Sequence, residues 1–202
     1  MLDPYGADRW RQVELTVNYR TPREIMELAG PVLGLAHPGT VAPSAIRDSG
    51  IRPVAYHSTT EELTRTTATV VRSAIEKLEE GRLCVLAPTA ALEELRATFA
   101  RDLPLWFAGG IRTDDARVVL LDARDAKGLE FDVVVLVEPS AMVAESPRGM
   151  SDLYVALTRA TQHLVIVYSS HLPSVFPQAA IEFAPLEEGT RRVPGSERRG
   201  ES

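Results

Sequence analysis

The chain has 202 residues, 45% of them apolar, and a formal net charge of −6. That is enough apolar material for one domain with a sizeable core, and the acidic balance argues against a general grip on nucleic acid, which needs a basic face. No run of about 18 apolar residues is present, so no membrane span is expected. The start, with Asp3 and Asp8 inside the first ten residues, lacks the basic-then-apolar order of a secretory signal. Cys84, the only cysteine, sits in the apolar run Leu83–Ala87 and reads as a small buried hydrophobe. His37, His57, His163 and His171 lack metal-ligand spacing. A cytoplasmic, reduced protein without a metal site is the expectation.

In chain order, residues 1–12 read as a lead-in from an upstream domain, residues 13–184 as one folded lobe, and residues 185–202 as a charged, disordered tail. Val13–Val17 is a candidate strand. Thr21-Pro22-Arg23-Glu24 combines an N-cap, a proline at the first helical position and a capping-box glutamate. Ile25, Leu28, Ala29 and Val32 give that helix its apolar face, and Pro31 is expected to kink or end it. Residues 37–52 read as a loop before a strand near Pro53–Tyr56. Ser58 and Thr59 stand three residues before Glu61 and Glu62, again capping-box spacing. Leu63, Val70, Val71, Ala74, Ile75 and Leu78 then mark one face of a helix ending at Gly81. Strand Leu83–Ala87 follows, then a helix capped by Thr89 and packed through Leu92, Leu95 and Phe99. Leu105–Phe107, Val118–Leu121, Val133–Val137 and Leu164–Tyr168 are further strands, with a helix from about Ser151 before the last. Continuous apolar strands alternating with helices indicate an α/β fold with a mainly parallel sheet covered by helices on both faces.

Three short words adjoin these strands: Asn18-Tyr19-Arg20, Lys127-Gly128-Leu129-Glu130-Phe131-Asp132, and Tyr154-Val155-Ala156-Leu157-Thr158-Arg159-Ala160. Polar residues at strand ends are where open α/β sheets bind ligands. The spelling and order resemble motifs IV, V and VI of the UvrD/Rep-like superfamily 1 helicases, over roughly residues 13–170. The resemblance implies a RecA-like second lobe that closes over ATP held by a first lobe. Many relatives carry a large subdomain between the double glycine and motif V, whereas here Gly109-Gly110 is followed almost at once by Arg117-Val118. In this the chain resembles the HelD-like branch, whose members bind RNA polymerase.

Hydrolysis of ATP needs positive charge against the γ-phosphate as the transition state forms, and arginine suits this through its permanent charge and planar fork. The resemblance makes Arg20 and Arg159 those catalytic groups. It makes Tyr19 the aromatic that stacks on adenine, Glu130 the ribose contact, and Lys127 and Gly128 part of the nucleotide cleft. Tyr154 and Thr158 read as positioning residues. Taken singly, each has an ordinary structural reading: a surface ion pair for Arg159 or Glu130, packing for Tyr19, a turn for Lys127-Gly128.

No Gly-x-x-x-x-Gly-Lys-Ser/Thr phosphate loop occurs in the sequence, nor an apolar strand ending in paired Asp-Glu to hold Mg²⁺. ATP with Mg²⁺ is therefore expected to be bound mainly by a first lobe outside this chain, and the chain alone to be inactive. At the positions where relatives carry a threonine and a histidine facing single-stranded DNA, this chain has Asp122 and Arg124; only Arg124 suits a nucleic-acid contact. Met150-Ser151 replaces the arginine pair common before motif VI. The expected partners are the N-terminal RecA-like lobe, RNA polymerase and, weakly, single-stranded nucleic acid. A DNA-translocating repair helicase and a non-catalytic interaction module are the alternatives.

Overall fold

The computed structural model describes residues 17–107 and 116–185. Its elements in chain order are β1 (Val17–Asn18), α1 (Arg23–Ala36), β2 (Ser44–Ala45), β3 (Val54–His57), α2 (Leu63–Lys77), β4 (Leu83–Leu86), α3 (Leu92–Asp102), β5 (Val118–Leu121), β6 (Phe131–Val137), α4 (Pro139–Ala144), α5 (Gly149–Leu157), β7 (Ala160–Tyr168) and β8 (Glu182–Phe183). Six strands form one sheet in the order β5-β4-β6-β7-β3-β8, and β1 pairs with β2 as a separate ribbon. Every pairing is parallel.

Parallel strands need crossovers that cover the sheet, and both faces are covered here. On one face α1 and α5 bury Ile25, Leu28, Val32, Leu153 and Leu157 against Cys84, Val134, Leu136 and Ile166. On the other, α2 and α3 bury Val71, Ile75, Leu95 and Phe99 against Leu83, Val85, Val135 and Val167. Strand β4 is buried at all four positions, which is why it reads as an unbroken apolar run. Cys84 is fully buried within it, and burial pushes its thiol pKa far up. No described helix is long and apolar enough to cross a membrane, and the described residues include no group of three metal-ligating side chains.

Several expectations change in physically informative ways. Helix α1 continues through Pro31 to Ala36. Pro31 and Glu27, whose carbonyl loses its partner, both lie on the exposed side of the helix, where water can serve that carbonyl. The four hydroxyl caps do not form. Thr21 bonds Thr158, Ser58 bonds Thr66, and Thr89 bonds Glu145, while α2 starts only at Leu63 and a 3₁₀ turn over Thr89–Ala91 precedes α3. Thr59 is drawn into a backbone turn with Glu62. Helix α2 stops at Lys77, short of Gly81. Leu105–Phe107 is a turn, with Leu105 85% exposed, and not a strand. Of the first candidate strand, Val17 lies in β1; Val13, Gly109-Gly110, the lead-in and the tail beyond Pro185 lie outside the described residues. Elements α4 and β8 carry too few residues for a periodic signal.

Candidate nucleotide site

All three words contribute to one cluster, but not every residue in them does. Asn18, Tyr19, Arg20, Glu130 and Arg159 converge at the amino edge of the sheet, just before β6 and β7 begin. Glu130 and Arg159 immediately precede β6 and β7, so the strand ends that carry this cluster are amino ends.

Local geometry explains the placement. Asn18 Oδ1 accepts from the backbone N–H groups of Arg20 and Thr21, at 2.9 and 3.1 Å, folding Tyr19-Arg20 into a tight Asx-type turn. Thr21, buried, donates from Oγ1 to the carbonyl of Thr158 at 3.5 Å, so the first and third words are joined side by side. Arg47 adds a second tie from Nη1 to the carbonyl of Thr161 at 3.0 Å. Glu24 holds the loop that carries Arg47, accepting from Ser49 N, Ser49 Oγ and Gly50 N. Partial burial raises the Glu24 pKa, but hydrogen bonds to the carboxylate outweigh that and bring it to about 2. Asn18, Thr21, Arg47 and Glu24 were not singled out by sequence reasoning as site builders, whereas Thr158 was read as a positioning residue. The Asx pattern at Asn18 is the one local signal that could have found any of them.

Arg159 lies just beyond α5, which ends at Leu157, so the helix presents only part of the third word. Thr158 Oγ1 bonds back to the carbonyls of Tyr154 and Val155, closing the helix end. The Arg159 guanidinium is held by carbonyls, Nε to Val155 at 3.1 Å and Nη1 to Leu129 at 3.0 Å, which leaves Nη2 for an incoming group. Burial lowers the Arg159 pKa and Arg20 adds to the shift, while Glu130 and Tyr154 oppose it; the group stays charged at neutral pH. Burial likewise raises the Tyr154 pKa. An extra residue enters β7 between the pairs Phe131–Ala160 and Val133–His163. Such bulges re-aim side chains beside sites.

Arg20 Nη1 pairs with Glu130 Oε1 at 2.8 Å, both side chains about half exposed. An ion pair this exposed contributes about 0–1 kcal/mol, so exchanging it for phosphate and ribose contacts costs little. Two guanidiniums face one carboxylate, so the cluster is net positive on an acidic protein. Tyr19 is 74% exposed, which removes the packing explanation for its ring.

Lys127 and Arg124 go elsewhere. Lys127 Nζ lies 3.5 Å from Asp152 Oδ1, and Arg124 Nη2 lies 3.3 Å from Asp122 Oδ2. Both carboxylates line a cavity of about 230 Å³ near the carboxyl ends of β4 and β5, with Thr89, Met142, Glu145 and Ser146. Asp122 also accepts from the backbone N–H groups of Arg124 and Asp125, so it builds the turn that leads away from β5. Gly128 takes φ +81, and a Cβ there would meet nothing within 4 Å. Its visible requirement is conformational.

Comparison with known proteins follows the same lines. Residues 117–167, which hold β5, β6, α4, α5 and most of β7, match the family model described as UvrD-like helicase C-terminal domain. No curated protein matches the chain. Among solved structures, the C-terminal domain of a possible DNA helicase from Lactobacillus plantarum WCFS1 is 20% identical, with a TM-score of 0.57 over 83% of this chain and 99% of that one. The UvsW helicase from bacteriophage T4 is 15% identical, with a TM-score of 0.45 over 77% of this chain and 59% of its own. The Sulfolobus solfataricus SWI2/SNF2 ATPase core, solved with dsDNA, is 14% identical, with a TM-score of 0.45 over 81% of this chain and 35% of its own. The fold assignment rests on the first of these structures. Residues 117–167 are thus similar to a UvrD-like helicase C-terminal domain, and the chain shares the RecA-like α/β fold of the first of these structures.

Proposed function

We propose that the chain is the second RecA-like lobe of an ATP-driven motor, closing with a first lobe over nucleotide. The observation that carries this reading is the net-positive Arg20–Glu130–Arg159 cluster, with an exposed Tyr19 beside it and two tertiary ties beneath it. Tyr19 stacks on the base, Glu130 exchanges Arg20 for the ribose hydroxyls, and Arg20 and Arg159 face the γ-phosphate. ATP supplies the transferable phosphoryl group, with Mg²⁺ held by the other lobe. Lys127, paired with Asp152, steadies the segment leading to Gly128 and Glu130.

The purified 202-residue chain is expected to release no phosphate from ATP beyond background. A steady-state assay reads this directly, and turnover near 1 s⁻¹, about the low end of typical enzymes, would refute the division of labour between lobes.

On the motor's output, the reading we favour is force on RNA polymerase, removing it from nucleic acid or displacing an inhibitor. Its support is the short connection between Phe107 and Arg117, which leaves no room for an inserted subdomain, and the mutual pairing of Asp122 and Arg124. The competing reading, a DNA translocase, is equally compatible with the family match. Fluorescence anisotropy with a labelled oligonucleotide separates them. Weak binding with little salt dependence is expected, because each neutralised phosphate adds about 0.7 to the slope for single strands. Sub-micromolar binding with a steep slope, or failure of the intact motor to co-purify with RNA polymerase, would favour the translocase.

A further inference from the structure

On the face opposite α5, the six-stranded sheet is only partly roofed. Helix α2 packs there through Val70, Val71 and Ile75, mainly over β4, β6 and β7, with Tyr56 of β3 at the margin of the same core. A cavity of about 450 Å³ is left between α2, the first half of β7 and the segment after β8. That volume falls within the roughly 300–1,000 Å³ usual for small-molecule sites.

The walls define the occupant. Val70, Ala74, Leu78, Val133 and Val165 supply an apolar lining. Lys77 is the single charged side chain at the cavity, and among the described residues it makes no ion pair. His163, which follows the extra residue in β7, presents a buried Nε2 with no hydrogen-bond partner. Burial lowers the pKa of that imidazole and Lys77 lowers it further, so the ring is neutral at pH 7 and carries one donor and one acceptor. A buried polar atom without a partner calls for an explanation. Water would satisfy the nitrogen but leave the valine walls wet. An apolar body with one anionic end satisfies both.

We infer that this cavity binds a small organic acid, its apolar body between α2 and β7, its carboxylate at Lys77 and a hydrogen bond at His163 Nε2. The site is separate from the arginine cluster, although both draw on β7, which starts immediately after Arg159.

The test uses the 202-residue chain, 2-naphthoate as the probe and 2-naphthalenemethanol as its uncharged counterpart, followed through the ¹⁵N-labelled histidine ring signals. A saturable shift of His163 Nε2 is expected, with the acid preferred over the alcohol by about tenfold. Lys77→Gln, an exposed substitution that leaves the core untouched, should bring that preference to about one. Ala74→Phe, which fills the cavity, should abolish binding of both probes. Absence of a saturable shift at millimolar probe, or a preference for the acid that survives Lys77→Gln, overturns the assignment.

Discussion

Arg159→Ala in the intact motor is expected to lower kcat by about 10³-fold or more, with little change in ATP affinity. Arginine contacts to the transferring phosphoryl group are worth about that much in related systems, equivalent to about 4 kcal/mol of transition-state stabilisation. The structural reason is preorganisation. The guanidinium is already anchored by the carbonyls of Val155 and Leu129, so little reorganisation accompanies the reaction. Its charge matters most when the γ-phosphate develops negative charge, which is why kcat and not KM carries the loss. Arg20→Ala should behave similarly with more loss of binding, because its half-exposed guanidinium also meets the phosphates before the transition state. Tyr19→Ala should mainly raise KM, since stacking serves ground state and transition state alike. Steady-state kinetics alongside a thermal melt make the comparison. Unchanged kcat in a folded Arg159→Ala protein would remove the arginine from the mechanism.

How much of this was readable beforehand depends on where each signal lives. The sheet was legible because parallel strands buried on both faces must be apolar throughout, as in Leu83–Leu86 and Val133–Val137. Helix starts were misread because hydroxyls can cap locally or bond at long range, and sequence spacing registers only the first. Thr21 shows the difference: its partner, the Thr158 carbonyl, lies 137 residues away. Leu105–Phe107 failed for a different reason, since three residues cannot distinguish a strand from an apolar turn. At the site, the words could be spelled out but their pairing could not. Arg20 meeting Glu130, and Lys127 leaving the cluster for Asp152, are consequences of crossovers that no local pattern encodes.

Gly149→Ala is the substitution expected to damage both fold and site while touching neither a charge nor a motif residue. Gly149 begins α5, one short turn after α4 ends at Ala144. A Cβ there would press on the backbone of Val143, with Cα and C at 2.6 Å and the carbonyl oxygen closer still. No rotamer change relieves a contact with backbone, so one of the two helices must move. Alanine does improve helix propensity by about 1 kcal/mol in a helix interior, but less at a first position, where the turn is only beginning. Overpacking commonly costs about 1–3 kcal/mol, and a backbone-to-backbone clash belongs at the upper end, so the clash outweighs the propensity gain. A loss of about 3 kcal/mol corresponds to a Tm lower by roughly 6–12 °C in a domain of this size. The displacement would not stay local. Helix α5 is anchored by fully buried Leu153, Ala156 and Leu157 and leads directly into Thr158 and Arg159. Shifting its start therefore loosens the tie to Thr21 and misaims the arginine, so kcat of the intact motor should fall as well. Denaturant unfolding of the 202-residue chain measures the first effect and steady-state kinetics the second. An alanine variant as stable as the parent would mean that the α4–α5 junction yields without cost, and that Arg159 is positioned by its carbonyl contacts alone.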